Sequence, residues 1–98
     1  MNLNSLEGRA VIFRADIKSI YLNKSASSYK YPDRWVADIT NLRCNGKVVK
    51  TNGHRISLDV TKHYQYLLEG DTIKFKTRVS LDSDNRFKNI KNIELLKS

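Results

Sequence analysis

A single all-β domain spanning residues 1–98, a five-stranded barrel with one short helix between its third and fourth strands, is the fold class this chain predicts. Three observations predict it. Apolar and polar residues alternate with period two in successive stretches, as half-buried strands require. Asn-Gly pairs at 45–46 and 52–53 supply tight turns. Residues 61–68 open on Thr61, a residue that can cap a helix, and hold no Gly or Pro breaker, and so have room for a short helix.

Taken in order, residues 9–22 place Val11, Phe13, Ala15 and Ile17 on one face and Arg14, Asp16 and Lys18 on the other. The apolar phase then moves from odd to even positions at Ile20 and Leu22, which requires a bulge or a sharp bend. A long, bent first strand of this kind serves two sheets. Residues 23–33 hold small polar residues and the only proline, Pro32, and read as an exposed loop. The second strand, 34–43, sets Trp35, Ala37 and Ile39 against Val36, Asp38 and Thr40, and ends at Asn45-Gly46. Beyond that turn, 47–50 and 54–60 read either as one interrupted strand or as two. Thr61 is a helix N-cap candidate for the residues up to Leu68. Residues 72–81 alternate most cleanly, with Ile73, Phe75, Val79 and Leu81 inward and Lys74, Lys76, Arg78 and Ser80 outward. The last strand carries Phe87, Ile90, Ile93 and Leu95 at a spacing that mixes two and three.

Composition narrows the function. Hydrophobic residues at 40 % with charged residues at 29 % describe a chain that folds. A core of this size leaves little room for a deep, water-excluding pocket. Eighteen Lys and Arg against ten Asp and Glu give a formal charge of +8, which favours a polyanionic partner. The surplus is spread along the chain, so a basic patch has to be assembled by folding. One cysteine, Cys44, cannot form an internal disulfide, and no secretory pattern opens the chain, so the expected compartment is the cytoplasm. Apolar runs fall far short of the roughly 20 residues that cross a bilayer, and no membrane partner is expected.

Catalysis and metal binding find no local support. His54, His63 and Cys44 have none of the spacings of a metal site, and the four glycines are isolated at turns rather than gathered in a phosphate-binding loop. No nucleophile motif appears. Asp38 and Asp59 are available as acid or base, but each reads more simply as an outward strand residue or a partner for Arg34 or Arg55. The expectation is a binding protein without metal or cofactor.

The order of elements, together with the segment Leu68-Glu69-Gly70-Asp71-Thr72-Ile73-Lys74-Phe75-Lys76-Thr77-Arg78-Val79, resembles oligonucleotide/oligosaccharide-binding (OB) domains, where a Gly-Asp turn leads from the helix into an alternating fourth strand. SH3-like and translation-type barrels share that turn but usually lack a bent first strand of this length and the intervening helix. The resemblance implies a binding surface made of the loop between the first two strands, the faces of strands two and three, and the loop between strands four and five.

On those positions the chain interleaves cations with aromatic rings, the combination that tracks phosphates and stacks bases. Tyr29, Lys30, Tyr31, Arg34 and Trp35 sit at the first loop, Arg43, Lys47 and Arg55 in the middle strands, and Arg86, Phe87 and Lys88 near the last loop. Trp35 is in phase with Ala37 and Ile39 and reads first as core, and Phe87 as either a barrel cap or a stacking ring. Lys74, Lys76 and Arg78 read as the ordinary solvated side of a sheet. The expected partner is single-stranded DNA or RNA, bound with little sequence preference. The other reading is a small interaction module of a phage or mobile element, directed at a protein of host replication, recombination or defence.

Overall fold

The computed structural model describes residues 1–23, 34–81, 85–87 and 90–96. Its strands are β1 (Ala10–Asn23), β2 (Arg34–Cys44), β3 (Lys47–Val48), β4 (Ile56–Asp59), β5 (Thr72–Arg78), β6 (Arg86–Phe87) and β7 (Ile90–Leu96). They form one sheet in the order β6-β4-β2-β1-β5-β7, with β3 also paired to β2. All pairings are antiparallel except β4 with β6, which is parallel. Seven strands are thus described where the sequence predicts five. The difference has a local origin: β3 and β4 lie along the same edge of β2 on either side of the Asn52-Gly53 turn, and β6 and β7 lie on either side of residues 88 and 89.

The two ends of that order belong to neighbouring stretches of chain. Phe87 in β6 and Ile90 in β7 are three residues apart, a span of at most about 11 Å. Five strand steps across a flat sheet would separate them by roughly 24 Å. The sheet therefore curls strongly, into a half-barrel whose concave side is the core.

Bulges steer the curl. Between Ile17 and Ser19 the register against β2 slips by one residue, with Lys18 the extra one. This is the bend demanded by the change of apolar phase in β1. It falls where β1 hands over from β5, paired up to Asp16, to the part of β2 that also carries β4. The Gly70-Asp71 turn clamps the same point, since Gly70 N–H donates to the Ile17 carbonyl and Ile17 N–H to the Asp71 carbonyl, each at 2.8 Å. Gly70 has φ +90°, open to glycine and strained for other residues. In β2 an extra residue at Asn41, φ 53°, moves the buried positions from Ala37 and Ile39 to Leu42 and Cys44. In β7 Asn92 and Ile93 together oppose Phe75, which explains the mixed spacing of the last strand. Five of the eight asparagines among the described residues have positive φ, a conformation asparagine tolerates better than most residues.

Inside the curl Phe13, Phe75 and Phe87 meet at ring-centroid separations of 5.5–5.6 Å. Ala15, Ile17, Ala37, Ile39, Leu58 and Ile73 extend this core along the strands. The predicted helix over 61–68 is a 3₁₀ turn of three residues, Tyr64–Tyr66. Thr61 does not cap it. Its hydroxyl donates to Asp59 Oδ1 at 2.6 Å and accepts the Trp35 N–H at 3.1 Å, tying the start of the segment to β2 and β4. So short a segment has too few internal hydrogen bonds to offset helix nucleation. It is held by tertiary contact, with Tyr64 stacked on Trp35 at 4.4 Å and 11° and Leu67 buried.

Candidate nucleic-acid interface

On the convex side, register places Tyr21 opposite Val36, Ser19 opposite Asp38, Asp38 opposite Ser57, and Ser57 opposite Arg86. Four strands thereby contribute one row of outward side chains. Asp38 lies at its centre with only 5 % of its surface exposed. Its carboxylate accepts from the Tyr21 hydroxyl at 3.2 Å and the Ser19 hydroxyl at 3.4 Å, and Arg55 Nε stands 3.6 Å from Oδ2. Around it lie two adjoining hollows that share Asp38 and Arg55. One, of about 470 Å³, is bounded by Tyr21, Asn23, Ser57, Asn85 and Arg86, and the other, of about 430 Å³, by Lys18, Thr40, Val48 and His54. Together they make a groove across β1, β2, β4 and β6.

Its chemistry is divided between floor and rim. The floor has a buried acceptor, Asp38, beside the ring of Tyr21, which is 40 % exposed and meets no other ring among the described residues. Burial, reinforced by the Asp38 charge and hydrogen bond, raises the Tyr21 phenol above its ordinary value against the opposing pull of Arg86 and Arg55. It stays a protonated donor at neutral pH. The rim is cationic, with Arg55 and Arg86 near Tyr21 and Arg34 on Asp59 at 2.5 Å. Exposed ion pairs such as Arg34–Asp59 are worth at most about 1 kcal/mol. Arg34 can therefore turn to a phosphate at small cost, whereas Arg55 faces the buried Asp38 carboxylate, which also holds two hydroxyl donors.

The residues singled out from the sequence divide accordingly. Arg34, Arg55 and Arg86 come together on this face. Arg43 and Lys47 lie at the far end of β2, roughly 30 Å from Arg34 by strand rise, and Arg43 is paired with Asp16 at 3.3 Å. Trp35 is half-buried against Tyr64, so that ring face is taken by protein. Phe87, 1 % exposed, belongs to the core and offers no face to a base. Tyr29, Lys30, Tyr31 and Lys88 lie outside the described residues. Sequence reasoning passed over Tyr21, although the phase change at Ile20 already turns position 21 outward.

Asp59 and Asp16 give the surface its acid response. Burial alone would raise Asp59, but hydrogen bonds from the Thr61 hydroxyl and N–H and from Arg34 outweigh it and hold the carboxyl below its ordinary range. Asp16 is lowered by hydrogen bonds from Asn41 and Thr72 and, more weakly, by Arg43, against a small opposing effect of burial. Groups depressed in the folded state stabilise it above their unfolded pKa, about 3.9, and lose that contribution as pH falls through the folded value. Stability to urea is expected to stay level down to about pH 5 and to decline below about pH 4. Asp59→Asn should make the decline shallower, and an unchanged acid slope in that variant would contradict the assignment.

Comparison with protein-family models, with curated proteins and with solved structures finds no match for this chain. Among the described residues no group of three or more His, Cys, Asp or Glu is placed to hold a metal ion, and no helix is long and apolar enough to cross a membrane.

Proposed function

We propose that this chain is an OB-like module that binds single-stranded nucleic acid in the groove across β1, β2, β4 and β6, without a catalytic step. The observation that carries the reading is the arrangement around Tyr21, an exposed ring beside a buried acceptor and within a rim of arginines. A carboxylate floor repels phosphate but accepts hydrogen bonds from base amino groups, whereas the arginines suit phosphate. Bases thus lie inward on Tyr21 and the backbone runs along the rim. A ring stacks on any base, so sequence preference is weak.

Strand order supports the OB part of the reading. Counting β6 with β7 as one strand, and β3 with β4 as another, leaves five strands. The sheet path then returns to its beginning through the parallel β4–β6 contact, as in a partly open five-stranded barrel. In such barrels the faces of strands two and three bind oligonucleotides. Here those are β2 and β4, which carry Asp38 and Arg55's neighbour Ile56.

Fluorescence anisotropy with a labelled single strand of about 12 nucleotides tests this. Binding is expected to weaken between about 50 and 200 mM salt with a log–log slope near −2, about 0.7 for each of three arginine–phosphate contacts. No binding of DNA or RNA single strands at the lower salt would overturn the proposal in favour of an acidic protein partner.

A further inference from the structure

We infer that the outer face of β1, β5 and β7 is a second nucleic-acid surface, one that holds the backbone of a duplex. The inference rests on the preceding reading for the nature of the polyanion, but it concerns different residues. Arg14 in β1 lies directly between Arg43 of β2 and Lys74 of β5, and Lys76 of β5 lies directly opposite Lys91 of β7. Arg78 follows on the same face of β5. Cross-strand partners have Cβ atoms about 5 Å apart, and like charges in that relation destabilise a sheet. A merely solvated face gains by setting opposite charges across from each other, as Lys74 and Glu94 do here. The other pairs run against that rule.

These charges are also largely uncompensated. Three ion pairs occur among the described residues, Arg34–Asp59, Arg43–Asp16 and Arg55–Asp38, and none includes Arg14, Lys76, Arg78 or Lys91. Those four are exposed, and Arg78 donates to a neutral acceptor, the Gly8 carbonyl, at 2.7 Å. The groove arginines, by contrast, have carboxylates beside them. Phosphate attraction is therefore stronger on this face than in the groove, while base stacking is missing from it, since none of the described outward residues of β1 beside β5, of β5 or of β7 is aromatic.

Shape selects the duplex. Lys74, Lys76 and Arg78 span roughly 13 Å along β5, and β1 to β7 adds roughly 10 Å across it. A broad charged area without rings fits the two backbones of a duplex, which carries one charge per roughly 1.7 Å. A single strand would leave its bases unplaced there. Because β1 passes from this face to the groove at the Ile17–Ser19 bulge, a duplex on one and its single-stranded extension in the other can share one protein.

The test compares wild type with the double variant Lys76→Ala/Lys91→Ala, titrating a labelled blunt duplex and a labelled single strand across a salt series, with circular dichroism to verify the fold. The double variant is expected to lower the magnitude of the duplex salt slope by about 1.8, about 0.9 for each lost cation, and to leave single-strand affinity within about twofold. Identical duplex titrations for the two proteins would overturn the inference. So would a wild-type protein that binds single strands but no duplex, a result that leaves the groove reading standing. Binding of neither probe would remove both.

Discussion

Phe87→Ala is expected to lower the unfolding free energy by about 3–5 kcal/mol, the usual cost of deleting a buried aromatic ring. Phe87 is the contribution of β6 to the Phe13–Phe75–Phe87 cluster, and β6 is only two residues long. Its parallel contact with β4 covers Ser57 and Leu58 alone and its other backbone pairing among the described residues is a single bridge from Phe87 to Leu81, so the ring adds the larger contact at that edge of the curl. Total stability for a domain is about 5–15 kcal/mol, and the variant should be largely unfolded in mild urea where wild type is folded. With about 1–3 kcal/mol per molar of urea, the midpoint should fall by 1 M or more, and Phe87→Leu, which keeps most of the volume, should lose under about 1.5 kcal/mol. A stacking role would give the opposite pattern, a normal midpoint with weakened binding. A Phe87→Ala midpoint equal to wild type would remove Phe87 from the core.

The fold was legible wherever alternation continued and wherever its failure had a single local cause. Val11, Phe13, Ala15 and Ile17 marked the inner face of β1, and the shift at Ile20 marked its bulge, because one inserted residue inverts every later side chain. The same signal stood in β2 and β7, where Ile39 to Leu42 and Ile90 to Ile93 each skip a position beside an asparagine in the left-handed conformation. Asparagine at such a skip is readable in retrospect. The 61–68 segment was not, because freedom from Gly and Pro permits a helix without requiring one, and Thr61 found better partners in Asp59 and Trp35. Juxtapositions between distant elements were also hidden. Arg86 joins Arg55 and Tyr21 only through the parallel β4–β6 contact, and Arg14 meets Arg43 and Lys74 only once the bulges have fixed the register. Pattern within a strand tells which way a side chain points, and pairing across strands tells what it stands beside.

Tyr21→Ala is expected to weaken single-strand binding by about 1–3 kcal/mol, or about 5- to 150-fold, the measured range for loss of one base–aromatic stack. Tyr21→Phe separates the two things this residue does. It keeps the ring but removes the hydroxyl that donates to Asp38, leaving that buried carboxylate with Ser19 and Arg55 as partners. Losing one donor to a buried charge costs about 1–3 kcal/mol of stability, so the Phe variant should melt earlier than wild type yet bind single strands nearly as well. The Ala variant should show both losses. Neither change removes a phosphate contact, and the salt slope should therefore stay near the wild-type value in both, which distinguishes stacking from charge. If Tyr21→Phe loses as much affinity as Tyr21→Ala, the hydroxyl and its placement of Asp38 govern binding, and the ring is not the platform. If Tyr21→Ala binds as wild type does while folded, the strand does not cross the groove at this point, and the arginine rim must act with a different set of rings.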